Sequence, residues 1–284
     1  MVAAKLFPYL LLAPYLIAFV IFLAFPIVRG FYMSLFDWGI FGPREFLGLK
    51  NYATLFEEPQ FWQAFSNTLT FTIMYVPMVV ILSLVLAVLL SKKIRGMGWF
   101  RTAFFLPIVI NVATATIAVR WLLDSEIGVV NRLLAMLNLP TQSWLNQEGW
   151  AMFAVALVSV WSSSGINIVM FLAGLENIPQ ELYEAVMVDG GNAWHKFTKI
   201  TLPLLRPFTL LVTILSLIRA LQVFGEIYML TQGGPYGSTT VLTYLLYEEG
   251  FTYFRFGTAA AIGVFMTLLI AVVSLIQFKL FQEK

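Results

Sequence analysis

The chain has 284 residues, 60% hydrophobic and 11% charged, with a mean hydropathy of +0.85, against about 45–50% apolar and about 25% charged in soluble domains. That balance excludes a water-soluble globule, and a net charge of +2 with its 17 Lys and Arg spread among loops excludes a nucleic-acid-binding face. Without cysteine and with one histidine, His195, disulfides, thiol redox chemistry and Cys/His metal centres fall away, leaving only a carboxylate-built site as conceivable metal chemistry.

In chain order, the first apolar run, about residues 7 to 28, follows Lys5 as a signal peptide would. It is too long and lacks a small-x-small cleavage site, so it reads as a retained first helix. Further spans are expected near 67 to 90, 102 to 123, 150 to 175, 204 to 230 and 257 to 281, since a crossing takes about 20 apolar residues over roughly 30 Å. The expected fold is all-α, an integral membrane bundle of about six transmembrane helices forming one domain over 1–284.

Six crossings put both termini on one side. Lys92, Lys93, Arg95 and Arg101 crowd the link between the second and third spans, and Lys196, Lys199 and Arg206 flank that between the fourth and fifth, so those links and both termini are expected in the cytoplasm. The opposite loops, about 29 to 66, 124 to 149 and 231 to 256, are poor in basic residues and carry Glu57, Glu58, Asp124, Glu126, Glu248 and Glu249. Trp38, Trp62, Trp99, Trp144 and Trp150 lie near span ends, at headgroup depth. No solenoid-length repeat or low-complexity tract interrupts the pattern.

One cytoplasmic link is unusual, a polar insertion of about 27 residues from Glu176 to Leu202. Pro179 suits a first helical turn, with Glu181 and Glu184 near the positive end of the dipole, and Leu182, Ala185 and Val186 give an apolar stripe. Gly190 and Gly191 permit a left-handed stop. Asn192 can cap a second helix, with Lys196 and Lys199 toward its negative end and Pro203 opening the next span. Such a helix-turn-helix suits docking, or lying as an interfacial hairpin on lipid headgroups.

Glu184-Ala185, then Gly190, then Ile200-x-Leu202-Pro203 resemble, spacing included, the EAA loop of ABC importer permeases, with Val186 where the family usually has a second alanine. The sequence from Leu230 to Pro235, with Gln232-Gly233-Gly234-Pro235 and Thr239-Thr240 beyond, is similar to the sugar-permease branch of that family, of the maltose and glycerol-phosphate type. So are Gly48 to Tyr52 and Asn67-Thr68. The resemblance runs from about residue 8 to the C-terminus and implies a type I importer in a prokaryotic inner (plasma) membrane. The implied assembly has two permeases, usually unlike chains, two cytoplasmic ATPase subunits and an extracytoplasmic solute-binding protein.

In such assemblies the EAA helix fits a cleft on the ATPase and transmits nucleotide-driven closure. The resemblance therefore gives the coupling role to Glu181, Leu182, Glu184, Ala185, Val186, Asp189, Gly190, Ile200, Leu202 and Pro203. No phosphate loop of the form G-x-x-x-x-G-K-[ST] occurs, so the chain is expected to be no enzyme and to bind no cofactor, with ATP and Mg held by the ATPase.

Ionisable groups within spans face protein or water. Arg219 lies mid-way along the expected fifth span, and Glu226 follows on nearly the same face, about 10 Å along the axis and too far for a direct pair on a continuous helix. Arg219 reads either as a solute or gate contact, or as a bond to a neighbouring helix. By resemblance to maltose-type permeases, the solute-pathway positions are Ser159, Ser162, Ser163, Ile166, Ser216, Arg219, Ala220 and Val223, with Glu226 beside them. Serine hydroxyls suit sugars and also allow close helix packing. Trp161 and Gln222 would stack on or bond a sugar ring only if they face the pore. His195, in the docking loop without a second ligand, reads as a solvent or ATPase contact.

Two rivals remain: an intramembrane enzyme, for which no nucleophile-base or metal constellation is visible, and an ion-coupled secondary transporter, distinguished by its independence of ATP. Within the importer reading, glycerol phosphate or another anionic solute stands beside a sugar.

Overall fold

The structure is a computed structural model that describes residues 2–91 and 97–282. Lys92, Lys93 and Arg95, on which part of the orientation rests, lie outside the described residues. The chain divides into two compact units, one of residues 1–62 and 245–269, the other of 63–244 and 270–284.

The first unit begins with α1 (Val2–Phe19), a π-helical turn (Val20–Ala24) and α2 (Phe25–Met33). From Leu11 to Met33 this is an apolar helix of 23 residues with none of its most apolar window buried, about 35 Å at 1.5 Å per residue and long enough to cross a bilayer. Exposed Leu, Ile and Phe along it are stable only against lipid or another apolar surface. A hairpin follows, β1 (Phe36–Gly39) and β2 (Gly42–Phe46), antiparallel with a bulge at Asp37/Trp38, then α3 (Lys50–Glu57). The hairpin is a small addition to the expected all-α fold.

Asn51 shows why the sequence closes here. Its Nδ2 donates to the carbonyls of Ser34 (2.8 Å) and Phe36 (2.9 Å), while the Tyr52 hydroxyl donates to Ser34 Oγ at 2.6 Å. The Gly48 to Tyr52 segment is thus the seal of this hairpin. In the same unit, buried Glu249 meets Arg255 at 2.6 Å. Burial pushes its carboxyl pKa up against the opposing pull of the Arg255 guanidinium.

The second unit carries most of α4 (Pro59–Leu90), then α5 (Met97–Val109) and α6 (Val112–Leu122), α7 (Val129–Met136) and α8 (Trp150–Glu176). The expected third span is not one straight helix: α5 and α6 meet at 106°. Pro107 removes a backbone donor, and Asn111 leaves the helix (ψ 133°) to cap α6, accepting from the Ala113 N–H at 2.9 Å. Beyond it, Asp124 Oδ1 accepts from the N–H groups of Ile127 and Glu126, each at 2.9 Å, and these bonds hold its pKa below the usual carboxylate range. Asn131 fastens this loop through bonds with Ser125, Gln142 and Trp144.

After α8 come α9 (Gln180–Val188), α10 (Ala193–Lys196), a π-helical turn (Phe197–Thr201), α11 (Leu202–Leu204), α12 (Arg206–Leu221) and α13 (Gly225–Leu230). The expected continuous span over 204 to 230 is broken twice. The helix bends by 65° at Leu205, beside Pro203 and Pro207, and stops at Gln222 before α13 begins. The chain then runs through α14 (Leu242–Tyr247) into α15 (Phe256–Gln282). Among the described residues, four helices are long and apolar enough to cross a membrane, up to six if each bent pair counts as one span. The core of this unit joins Phe71, Tyr75 and Val79 of α4 to Val155 and Ala156 of α8 and to Ala220 and Ile227.

Candidate functional site

The insertion after α8 folds as an exposed elbow. Pro179 stands at the N-cap of α9 with Glu181 in its first turn. Asp189 is the C-cap, and Gly190 follows at φ +75°, a left-handed conformation that costs glycine little. The Gly191 N–H reaches the Val186 carbonyl (2.8 Å) and the Gly190 N–H that of Met187 (3.1 Å), the bond pair of a Schellman cap. Asn192 then opens α10 through a reciprocal capping box, its side chain accepting from the His195 N–H at 3.0 Å. His195 is therefore a capping residue.

Tyr183 ties α9 to its stem through the Thr201 hydroxyl at 3.0 Å. No residue of α9 is buried. Glu181, Glu184, Ala185, Leu202 and Pro203 are exposed, Val186 and Ile200 are half-buried, and Glu184 forms no ion pair among the described residues. Val186, in place of the smaller residue, packs on Gly191, where a Cβ would lie 2.5 Å from its Cγ1. The exposed apolar surface is wider than the expected stripe of Leu182, Ala185 and Val186. Val188 is 87% and Trp194 67% exposed, with Met187 beside them, residues that the helical-stripe pattern did not single out.

A cavity of about 530 Å³ lies among α4, α6, α8, α12 and α13, within the roughly 300–1,000 Å³ usual for small-molecule sites. Ser159, Ser163, Ile166, Ser216, Arg219, Val223 and Glu226 all line it. Ser162 and Ala220 do not: the Ser162 hydroxyl donates to the Ser159 carbonyl at 3.1 Å, and Ala220 is buried in the apolar core. Trp161 lies outside the lining, whereas Gln222 joins it.

Sequence reading missed Phe71, Tyr75 and Asn167. Tyr75 bonds Ser163 across 2.7 Å from 88 positions away and stacks on Phe71, ring centroids 5.5 Å apart. Asn167 reaches Ser216 at 3.5 Å. Only Asn167, a polar residue on the same helix as the serines, offered a sequence signal. Among the described residues, Ser159 Oγ is buried without a hydrogen-bond partner, an unsatisfied group beside open space.

Arg219 and Glu226 correct one expectation. They pair directly, Nη2 to Oε1 at 3.4 Å, across a break in the helix: α12 ends at Leu221, and the backbone from Gln222 to Phe224 (Phe224 φ −140°) is irregular before α13 begins. The 10 Å separation held only for an unbroken helix.

The turn from Thr231 to Thr240 is held from afar. Asn67 Nδ2 donates to the carbonyls of Gly237 (2.8 Å) and Thr240 (2.9 Å), and Thr68 Oγ1 accepts from the Leu242 N–H at 3.0 Å. Gly233 takes φ +80° with no room for a Cβ, which would lie 2.6 Å from Thr240 Oγ1. The Thr239 hydroxyl caps the turn on the Gly234 carbonyl at 2.7 Å.

The sequence is similar to the arabinooligosaccharides transport system permease protein AraP of Bacillus subtilis, 39% identical over 280 residues, covering 97% of this chain and 88% of that one. The fold matches, at TM-score 0.86 and 26% identity, a chain of a bacterial ABC transporter involved in the import of the acidic polysaccharide alginate, covering 99% of this chain and 97% of that one. A bacterial alginate ABC transporter in complex with its alginate pentasaccharide-bound periplasmic protein matches at 0.83 and 27% identity, over 97% of this chain and 94% of that one. Residues 52–284 match the family described as binding-protein-dependent transport system inner membrane component. The chain belongs to that family: it is a multi-pass inner-membrane permease of an ABC-type importer, a transporter component and not an enzyme.

Proposed function

We propose that this permease supplies half of the translocation pathway for a saccharide and takes its driving force from a separate ATPase through the elbow at 176–203. The observation that carries the reading is the elbow itself. Its backbone is sealed by its own caps, while Glu184, Leu182, Met187, Val188 and Trp194 are left to solvent, the pattern of a helix shaped to seat in a partner's groove. Glu184 pairs with a basic group on the ATPase, and Ile200, Leu202 and Pro203 carry the movement into α12. ATP and Mg bind to that ATPase, and this chain holds no cofactor.

The remaining partners are a second permease, a second ATPase subunit and an extracytoplasmic solute-binding protein, in keeping with the periplasmic protein seen on the alginate transporter. The cavity suits a saccharide: the Ser159, Ser163, Ser216, Asn167 and Gln222 side chains offer hydroxyl and amide groups, and Phe71 and Tyr75 offer ring faces.

The test is uptake by the complex purified through a tag on this chain and reconstituted in vesicles. Oligosaccharide uptake should require ATP, and Glu184→Lys should lower solute-stimulated ATP hydrolysis at least about tenfold without dispersing the two permeases. Uptake driven by an ion gradient without nucleotide, or unchanged hydrolysis in Glu184→Lys, would contradict the proposal.

A further inference from the structure

Among the described residues, Arg219 and Glu226 are the only charged side chains lining the cavity. They face each other at 3.4 Å, with 47% of the Arg219 side chain exposed but only 8% of that of Glu226. This wall therefore presents donors without net positive charge. A guanidinium carries five N–H groups in a planar fork, so contact with one Glu226 oxygen leaves Arg219 able to donate to a solute hydroxyl as well. A lone arginine in a partly desolvated cavity would instead attract carboxylates and phosphates strongly, because opposite charges a few ångströms apart interact far more in protein than in water.

We propose that Glu226 is a specificity-determining residue: by neutralising Arg219 it makes this half of the pathway select uncharged saccharides over acidic ones. The inference rests on the saccharide reading above and narrows it. Glu226 sets the charge of the wall and Arg219 makes the hydroxyl contact. The buried carboxylate holds the guanidinium on the cavity wall. A purely structural ion pair, bracing that break, would give variants at the two positions the same loss.

Charge selection instead gives them opposite signs. The experiment measures equilibrium binding of maltotriose and trigalacturonate to the detergent-purified complete transporter, followed by tryptophan fluorescence, for the natural complex, Glu226→Gln and Arg219→Gln. The sister permease contributes equally to all three and cancels when the variants' ratios are compared.

The natural complex should prefer the neutral trisaccharide by about tenfold or more. Glu226→Gln, with an uncompensated arginine, should shift the neutral-to-acidic ratio toward the uronate by about tenfold, and Arg219→Gln, with a lone carboxylate, should shift it the other way. If Glu226→Gln fails to assemble, Arg219→Gln decides alone, and a fall in its ratio refutes the proposal. Ratios that move together, or not at all, overturn charge selection while leaving saccharide transport standing. Binding of neither trisaccharide by the natural complex would show in that arm and overturn both.

Discussion

Two glycine turns in the same unit are held in opposite ways. At the elbow, Gly190 is locked by bonds that span no more than five residues, from Gly191 to Val186 and from His195 to Asn192. At the Gly-Gly-Pro turn, Gly233 is walled by Thr240 and Tyr244, and the far side of the turn, at Gly237, Thr240 and Leu242, is bonded by Asn67 and Thr68, some 170 positions earlier in the chain. The elbow's turn is closed by its own bonds and its outer surface is left free, as the proposed coupling role requires. Beyond its own local bonds, the turn is tied to α4, the helix that also supplies Phe71 and Tyr75 to the cavity.

The largest effect that would sharpen this contrast is expected at Asn67. Asn67→Ala removes two bonds to backbone carbonyls and should cost about 2 kcal/mol of unfolding free energy in detergent, with faster proteolysis at 231–241. Stability equal to the natural protein's would break the comparison, since the turn would then be self-sealing as well.

A smaller effect is expected at Gly190. Gly190→Ala forces a Cβ into φ +75° in otherwise open space, a cost of about 1 kcal/mol. Because the strain is local, solute-stimulated ATP hydrolysis should fall while the melting temperature of the bundle barely moves. A large fall in melting temperature would mean that the elbow is braced by the bundle.

The smallest is at Asp124, another locally closed turn. Its pKa is lowered by the Ile127 and Glu126 amides, so the ionised form favours the fold. That contribution is complete above the unfolded carboxylate value, about pH 4, and is lost as pH falls through the lower folded value. Exchange protection of those two amides should fade with acidification below about pH 4, and Asp124→Asn should flatten the profile. Protection independent of pH would contradict the assignment.

The same distinction explains what could be read from the amino acids alone. The elbow was legible nearly residue by residue, from Pro179 through Gly190 to the Asn192 cap, because the caps of its helices lie within a few positions of what they fix, whereas the tie from Tyr183 to Thr201, 18 positions apart, was not. Hydropathy likewise located the apolar runs. The break at Asn111 went unread because an N-cap inside an apolar run looks like one polar residue in a span, and the stop at Gln222 because Gly225, three positions beyond it, reads as a single glycine tolerated within a helix. With that stop unread, Arg219 and Glu226 were placed on one continuous helix and their pairing was missed. Phe71 and Tyr75 escaped because aromatic residues at helical spacing look like core, and their meeting with Ser163 depends on how α4 packs on α8. The hairpin at Phe36 to Phe46 lacks a clean alternation and is closed by Asn51, beyond its own strands.

The central claim, that the elbow faces the cytoplasm and seats on an ATPase, can be tested directly because the chain has no cysteine of its own. Glu184→Cys places a single thiol on α9. In sealed vesicles of known orientation, a membrane-impermeant maleimide should label it only from the cytoplasmic face, and added ATPase subunit should suppress that labelling. Labelling from the exterior face, or labelling that the ATPase subunit leaves unchanged, would contradict the account.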